Sequence, residues 1–114
     1  MTKGKVVLVP FPFDDLSSSK VRPAVCLTKP IGPHRHIVLA FVTSQIPDKL
    51  LETDLLIDTS HEDFDVTGLQ VSSTVQLHRL MTATTSLLKR ELGVLSPDMQ
   101  EQVDIRLRKL FGLD

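Results

Sequence analysis

The chain has 114 residues, 41% of them apolar and 24% charged, with a formal net charge of −1. This balance suits one soluble domain spanning residues 1–114, and it excludes collagen-like repetition, global disorder and a protein that coats nucleic acid with its whole surface. The apolar stretches at 6–9 and 37–42 fall far short of the roughly 20 residues a membrane span needs, and the N-terminal residues lack a signal-peptide core. A cytoplasmic protein with no membrane partner is expected.

Residues 5–11 are rich in valine and are closed by Pro10 and Pro12, which predicts a first strand ending at a sheet edge or bulge. Residues 14–20 follow as a polar, serine-rich connector with no apolar period, read as a mobile loop. Strand character resumes over 21–28, a Pro/Gly turn cluster occupies 29–33, and a third strand runs over 36–42. Residues 44–51 suit a short helical turn, and 53–58 a further strand.

Alternating apolar positions from Leu69 to Leu77 predict a half-buried strand continuing towards Met81. Thr84 or Thr85 is placed to cap a short helix over 86–91, with Gly93 ending it. Ser96-Pro97-Asp98 combines a hydroxyl cap, proline at the first helical position and a carboxylate facing the positive helix end. Met99, Val103, Leu107 and Leu110 then recur at spacings of four and three, an apolar stripe that packs on a sheet. Short strands with turns between them, followed by helical periodicity, define an α+β, mainly β fold: a small barrel or strongly bent antiparallel sheet with C-terminal helices.

Charge is unevenly distributed along the chain. No acid occurs between Asp15 and Asp48, where Lys20, Arg22, Lys29 and Arg35 are cationic and His34 and His36 can become so. From Asp48 to Asp65 the balance reverses, with Lys49 alone against seven acids. One block suits phosphates and the other a basic partner, unless the two intermix in space.

The Rossmann fingerprint, the P-loop, HExxH and G-x-S-x-G are all missing from the sequence. A single cysteine, Cys26, allows neither an intrachain disulfide nor a cysteine-based zinc cage, and its apolar neighbours place it in a buried strand. His34 and His36 would share one strand face, but two imidazoles without a third ligand make a poor metal site. Asp14 and Asp15 read as solvated loop residues.

The order Gly4-Lys5-Val6-Val7-Leu8-Val9-Pro10-Phe11, a polar loop, Val21-Arg22-Pro23-Ala24-Val25, then Phe41-Val42-Thr43-Ser44, Gly68-Leu69 to Ser73, and Leu92-Gly93-Val94-Leu95-Ser96 before an amphipathic helix resembles the PemK/MazF toxins over nearly the whole chain. The resemblance implies an SH3-like barrel, a homodimer, a cognate antitoxin, and sequence-selective, metal-independent cleavage of single-stranded RNA such as mRNA. Carried over by motif, Arg22 and Thr43 match the residues the family uses at the scissile phosphate, with Lys20, Pro23, Ser44 and Arg79 around the substrate. Physical chemistry suits that pairing. A ribonucleotide carries its own nucleophile in the 2′-hydroxyl, so a protein needs to orient it and stabilise the developing phosphorane charge. Arginine binds phosphate with two parallel donors and a threonine hydroxyl adds another. No cofactor is expected.

The sequence departs from the family where many members carry an Asp-Gln pair: here stand His78 and Arg79. His78 is then a candidate general acid or base, imidazole being the side chain most often used for that role. The same departure motivates the alternative, a barrel that holds RNA or a protein partner without cleaving. A gyrase-poisoning variant is weaker, because the C-terminal tryptophan such proteins use has no counterpart in a chain with no Trp.

Overall fold

The computed structural model describes residues 3–11 and 20–113, together with all their side chains except those of Phe11 and Lys20. The serine-rich connector, including Pro12, Asp14 and Asp15, lies outside the described residues. Six strands form one antiparallel sheet: β1 (Lys5–Phe11), β2 (Lys20–Cys26), β3 (His36–Thr43), β4 (Asp54–Ile57), β5 (Ser73–Thr84) and β6 (Arg90–Val94), in the order β4-β5-β3-β2-β1-β6. The sheet curls into a half-barrel. One helix, α1 (Pro97–Phe111), closes the chain.

Alternation along the strands supplies two buried faces. Val6, Val25, Ala40, Val42, Val75 and Leu77 share a core with Met99 and Val103 of α1, whereas Val7, Val9, Ala24, Cys26, Leu39 and Phe41 form a second cluster across the sheet. A one-residue step along a strand moves a side chain from one core to the other. Burial holds the Cys26 thiol up at about 11, so it is protonated and inert at neutral pH.

Helix α1 starts as its sequence dictates. The Ser96 hydroxyl accepts a hydrogen bond from Met99 N at 3.3 Å, Pro97 occupies the first turn, and Gly112 ends the helix in the left-handed conformation at φ +69°. Met99 and Val103 are fully buried and Leu107 packs beside them, as the apolar stripe requires.

Three expectations are corrected. Residues 44–51 hold no helical turn. The short helix over 86–91 is reduced to a 3-10 turn, Thr85–Leu87 (η2), because from Arg90 the chain pairs with β1 as an edge strand, Val6 opposite Gly93 and Leu8 opposite Arg90. A ladder partner far away in sequence overrides local propensity there. Leu69 to Ser72 stand outside β5, since Phe64–Thr67 forms a second 3-10 turn (η1) and Gly68, at φ +74°, sends the chain back across β6.

The candidate active site

A cleft of about 570 Å³ opens where β2 and β3 separate, and the register explains why. Ala24, Val25 and Cys26 pair with Phe41, Ala40 and Leu39. On the far side, Leu8 accepts a hydrogen bond from Lys89 N at 2.8 Å, which turns the backbone of Leu8 away from β2 and that of its partner Pro23 towards β3. The next rung of the β2–β3 ladder would therefore join Pro23 to Val42, and proline has no N–H to donate. The ladder ends, and the strands part around the cavity.

Continuing the register by two residues from Ala24 and Phe41 sets Arg22 opposite Thr43 on one face of the sheet. Both line the cleft, with Pro23, Ser44 and Arg79. Arg22 is exposed and Thr43 half-buried. The Thr43 hydroxyl oxygen accepts the Gln45 N–H at 3.1 Å, which fixes the side chain while leaving its own proton to donate elsewhere.

Arg79 reaches the cleft through an irregularity in β5. Ala40 pairs with Leu80 while its neighbour Phe41 pairs with Gln76, so residues 77–79 are extra on the β5 side. Leu77 turns into the core, and the Arg79 guanidinium lies over the Phe41 ring, 4.5 Å from its centroid. His78 goes elsewhere. Its Nδ1 stands 3.9 Å from a carboxylate oxygen of the buried Asp54, outside the lining of the cleft. Lys20 begins β2 opposite Phe11 by its backbone, and its side chain lies outside the described residues.

Sequence reading missed Arg90, which enters the lining from β6, and the wall formed by Gly68 to Val71. The sequence places Arg90 in a short helix, whereas it opens β6 opposite Leu8. Of the basic block at 20–36, Arg22 alone is among the described lining side chains; Lys29, His34, Arg35 and His36 sit at the β2–β3 connection. His34 lies in the turn before β3, its ring centroid 5.9 Å from that of His36. Among the described residues no three His, Cys, Asp or Glu side chains converge as metal ligands.

The lining thus carries three arginines, Arg22, Arg79 and Arg90, hydroxyls from Thr43, Ser44 and Ser73, and no Asp or Glu among its described members. Such a lining is chemically suited to a polyanion, since guanidinium and hydroxyl donors complement phosphate oxygens. No described helix is long and apolar enough to cross a membrane.

The fold and the cleft together describe a small domain built on one curled antiparallel sheet with a cationic cleft. The profile of the PemK-like, MazF-like toxins of type II toxin–antitoxin systems matches residues 2–111, and the chain belongs to that family. The structure is similar to the Mycobacterium tuberculosis toxin MazF-mt6, with a TM-score of 0.74 at 22% identity over 96% of this chain and 98% of that one. It is similar to an endoribonuclease in complex with its cognate antitoxin from a mycobacterial species, with a TM-score of 0.74 at 15% identity over 100% and 97% of the two chains. A MazE–MazF complex from Deinococcus radiodurans gives a TM-score of 0.69 at 17% identity over 100% and 97%. At these identities the likeness is one of fold. No curated protein sequence gives a significant match.

Proposed function

We propose that the chain is a sequence-selective endoribonuclease of single-stranded RNA, acting without a metal as a cytoplasmic toxin and neutralised by a cognate antitoxin. The observation that carries this reading is the opposition of Arg22 and Thr43 across the gap that Pro23 opens, in a cleft whose described charges are all positive. The 2′-oxygen of the substrate attacks phosphorus, the bond from phosphorus to the 5′-oxygen breaks, and the products are a 2′,3′-cyclic phosphate and a 5′-hydroxyl. The 2′-hydroxyl proton is released to water, and water supplies the proton that the leaving 5′-oxygen takes up.

Arg22 holds two phosphate oxygens with its forked donors and stabilises the phosphorane charge, and Thr43 donates its hydroxyl proton to the same group. Pro23 keeps the strands apart, and Lys20, Ser44 and Arg79 hold flanking nucleotides. The role assigned to His78 is its contact with Asp54, because an acid–base role needs an imidazole within hydrogen-bond reach of the reacting oxygens. The family membership and the similarity to a toxin–antitoxin pair support an antitoxin as partner.

The test is incubation of the purified chain with single-stranded RNA in excess EDTA. Cleavage yielding cyclic phosphate and 5′-hydroxyl ends is expected. Cleavage abolished by EDTA and restored by magnesium would overturn the mechanism, and no cleavage of any RNA would favour a binding protein instead.

A further inference from the structure

A second, smaller cavity of about 210 Å³ adjoins the cleft and shares Phe41, Thr43, Gln45 and Arg79 with it. Its volume corresponds to roughly seven waters at about 30 Å³ each, the scale of one ring system rather than a stretch of chain. Ile46 and Pro47 give it an apolar wall, against which a flat ring buries surface. Thr43, Gln45, Gln76 and Arg79 supply its polar side chains. Arg79 carries five N–H donors in a planar fork, and one of its terminal nitrogens bonds the Gln76 side-chain oxygen at 3.5 Å, which orients the Gln76 amide so that its NH₂ remains to donate. Gln45 is held through its backbone, its N–H on the Thr43 hydroxyl and its carbonyl accepting from the Thr74 hydroxyl at 3.4 Å.

Resting on the nuclease reading for its place in the reaction, we propose that this cavity is a nucleobase subsite selecting guanine at a nucleotide next to the scissile phosphate, with Arg79 as the reading residue. Guanine presents two adjacent acceptors, O6 and N7, which match an arginine fork; adenine places an amino donor where O6 stands and meets Arg79 donor to donor. Thr43 borders both cavities, so a base seated here belongs to a nucleotide whose phosphate lies at Arg22 and Thr43. The irregularity in β5 that carries Arg79 onto Phe41 holds the guanidinium in position, so little side-chain freedom is lost on binding.

The probes are single-stranded 2′-O-methyl oligocytidines, which cannot be cleaved, carrying one central guanine, 7-deazaguanine or adenine. Fluorescence anisotropy with the full chain should give about tenfold or tighter binding of the guanine probe over the adenine probe, with 7-deazaguanine losing most of that advantage. Arg79→Ala should abolish the discrimination and weaken all three probes, and Arg79→Met, which keeps an unbranched stem without the donors, should abolish it likewise. Equal binding of the three probes by the wild type, or discrimination persisting in Arg79→Ala and Arg79→Met, overturns the subsite. A chain that discriminates but cuts no RNA upholds the subsite and refutes the nuclease; one that cuts RNA without discriminating does the reverse.

Discussion

Arg22 and Thr43 occupy opposed register positions on β2 and β3, two residues past the last rung at Ala24 and Phe41. Their spacing is therefore set by the sheet and not by a loop. Replacing Arg22 by Ala should lower RNA cleavage a hundredfold or more, about 3 kcal/mol of transition-state stabilisation. Arg22→Lys should fail similarly, since one ammonium cannot make the two-pronged phosphate contact. Thr43→Ala should lose less, a neutral donor being weaker than a charged one. Rates are compared at equal folded concentration; equal cleavage by wild type and Arg22→Ala would remove Arg22 from the chemistry.

Gly68 lies against the Leu92 backbone, and Gly93 lies against the backbone of Val66 and Thr67, so the turn after η1 meets β6 main chain to main chain. A methyl group at either position overlaps a carbonyl oxygen, and at Gly68 the left-handed φ adds strain. Gly93→Ala and Gly68→Ala should each lower unfolding free energy by about 2 kcal/mol or more in urea titrations. An unchanged midpoint in Gly93→Ala would contradict the packing described.

Asp54 is buried, with one carboxylate oxygen accepting the Leu51 N–H at 3.0 Å and its backbone carbonyl accepting Arg106 Nε at 2.7 Å. Its other carboxylate oxygen has no hydrogen-bond partner among the described residues and faces His78. Asp54→Ala should cost about 1–3 kcal/mol of stability by leaving the Leu51 N–H without its acceptor. His78→Ala should keep cleavage within about tenfold of wild type, below the 10²–10⁴-fold that a general acid or base contributes. A larger loss in a folded His78→Ala protein would return the imidazole to the reaction.

The Cys26 thiol, pushed up to about 11 by burial, should resist iodoacetamide in the native protein at pH 8 and react on unfolding. Its folded value lies above the thiol's ordinary value of 9.0, so the stability it contributes is complete below pH 9 and is lost as pH rises through about 11. Thermal melts across that range should show the decline. Rapid alkylation of the native chain would place the thiol in contact with solvent.

Val66 in η1, Val71 at the cleft, and Phe111 and Leu113 at the end of α1 remain exposed. A small domain gains stability by covering such groups with a copy of itself. Sedimentation at micromolar concentration should give about twice the chain mass of 12.7 kDa, and a strict monomer would count against the homodimer that the family resemblance implies.

Local chemistry made much of this protein legible in its sequence. Valine-rich alternation marked β1 to β3 and Ser96-Pro97 marked the helix start, because each signal is carried by neighbouring residues whose period or cap is a short-range property, whereas Arg22-Pro23 and Thr43-Ser44 stood out through the resemblance to the PemK/MazF toxins and not through any local period. Where partners lie far apart in sequence, only the tertiary structure decided the outcome. Arg90 became a strand residue because β1 offers it a ladder, and the cleft gathered Arg22, Arg79 and Arg90 from β2, β5 and β6. The extra residues at 77–79 sent the adjacent His78 and Arg79 to different places, one towards Asp54 and the other over Phe41. A register shift is a property of two strands together, so neither strand's own residues encode which side chain reaches the cavity.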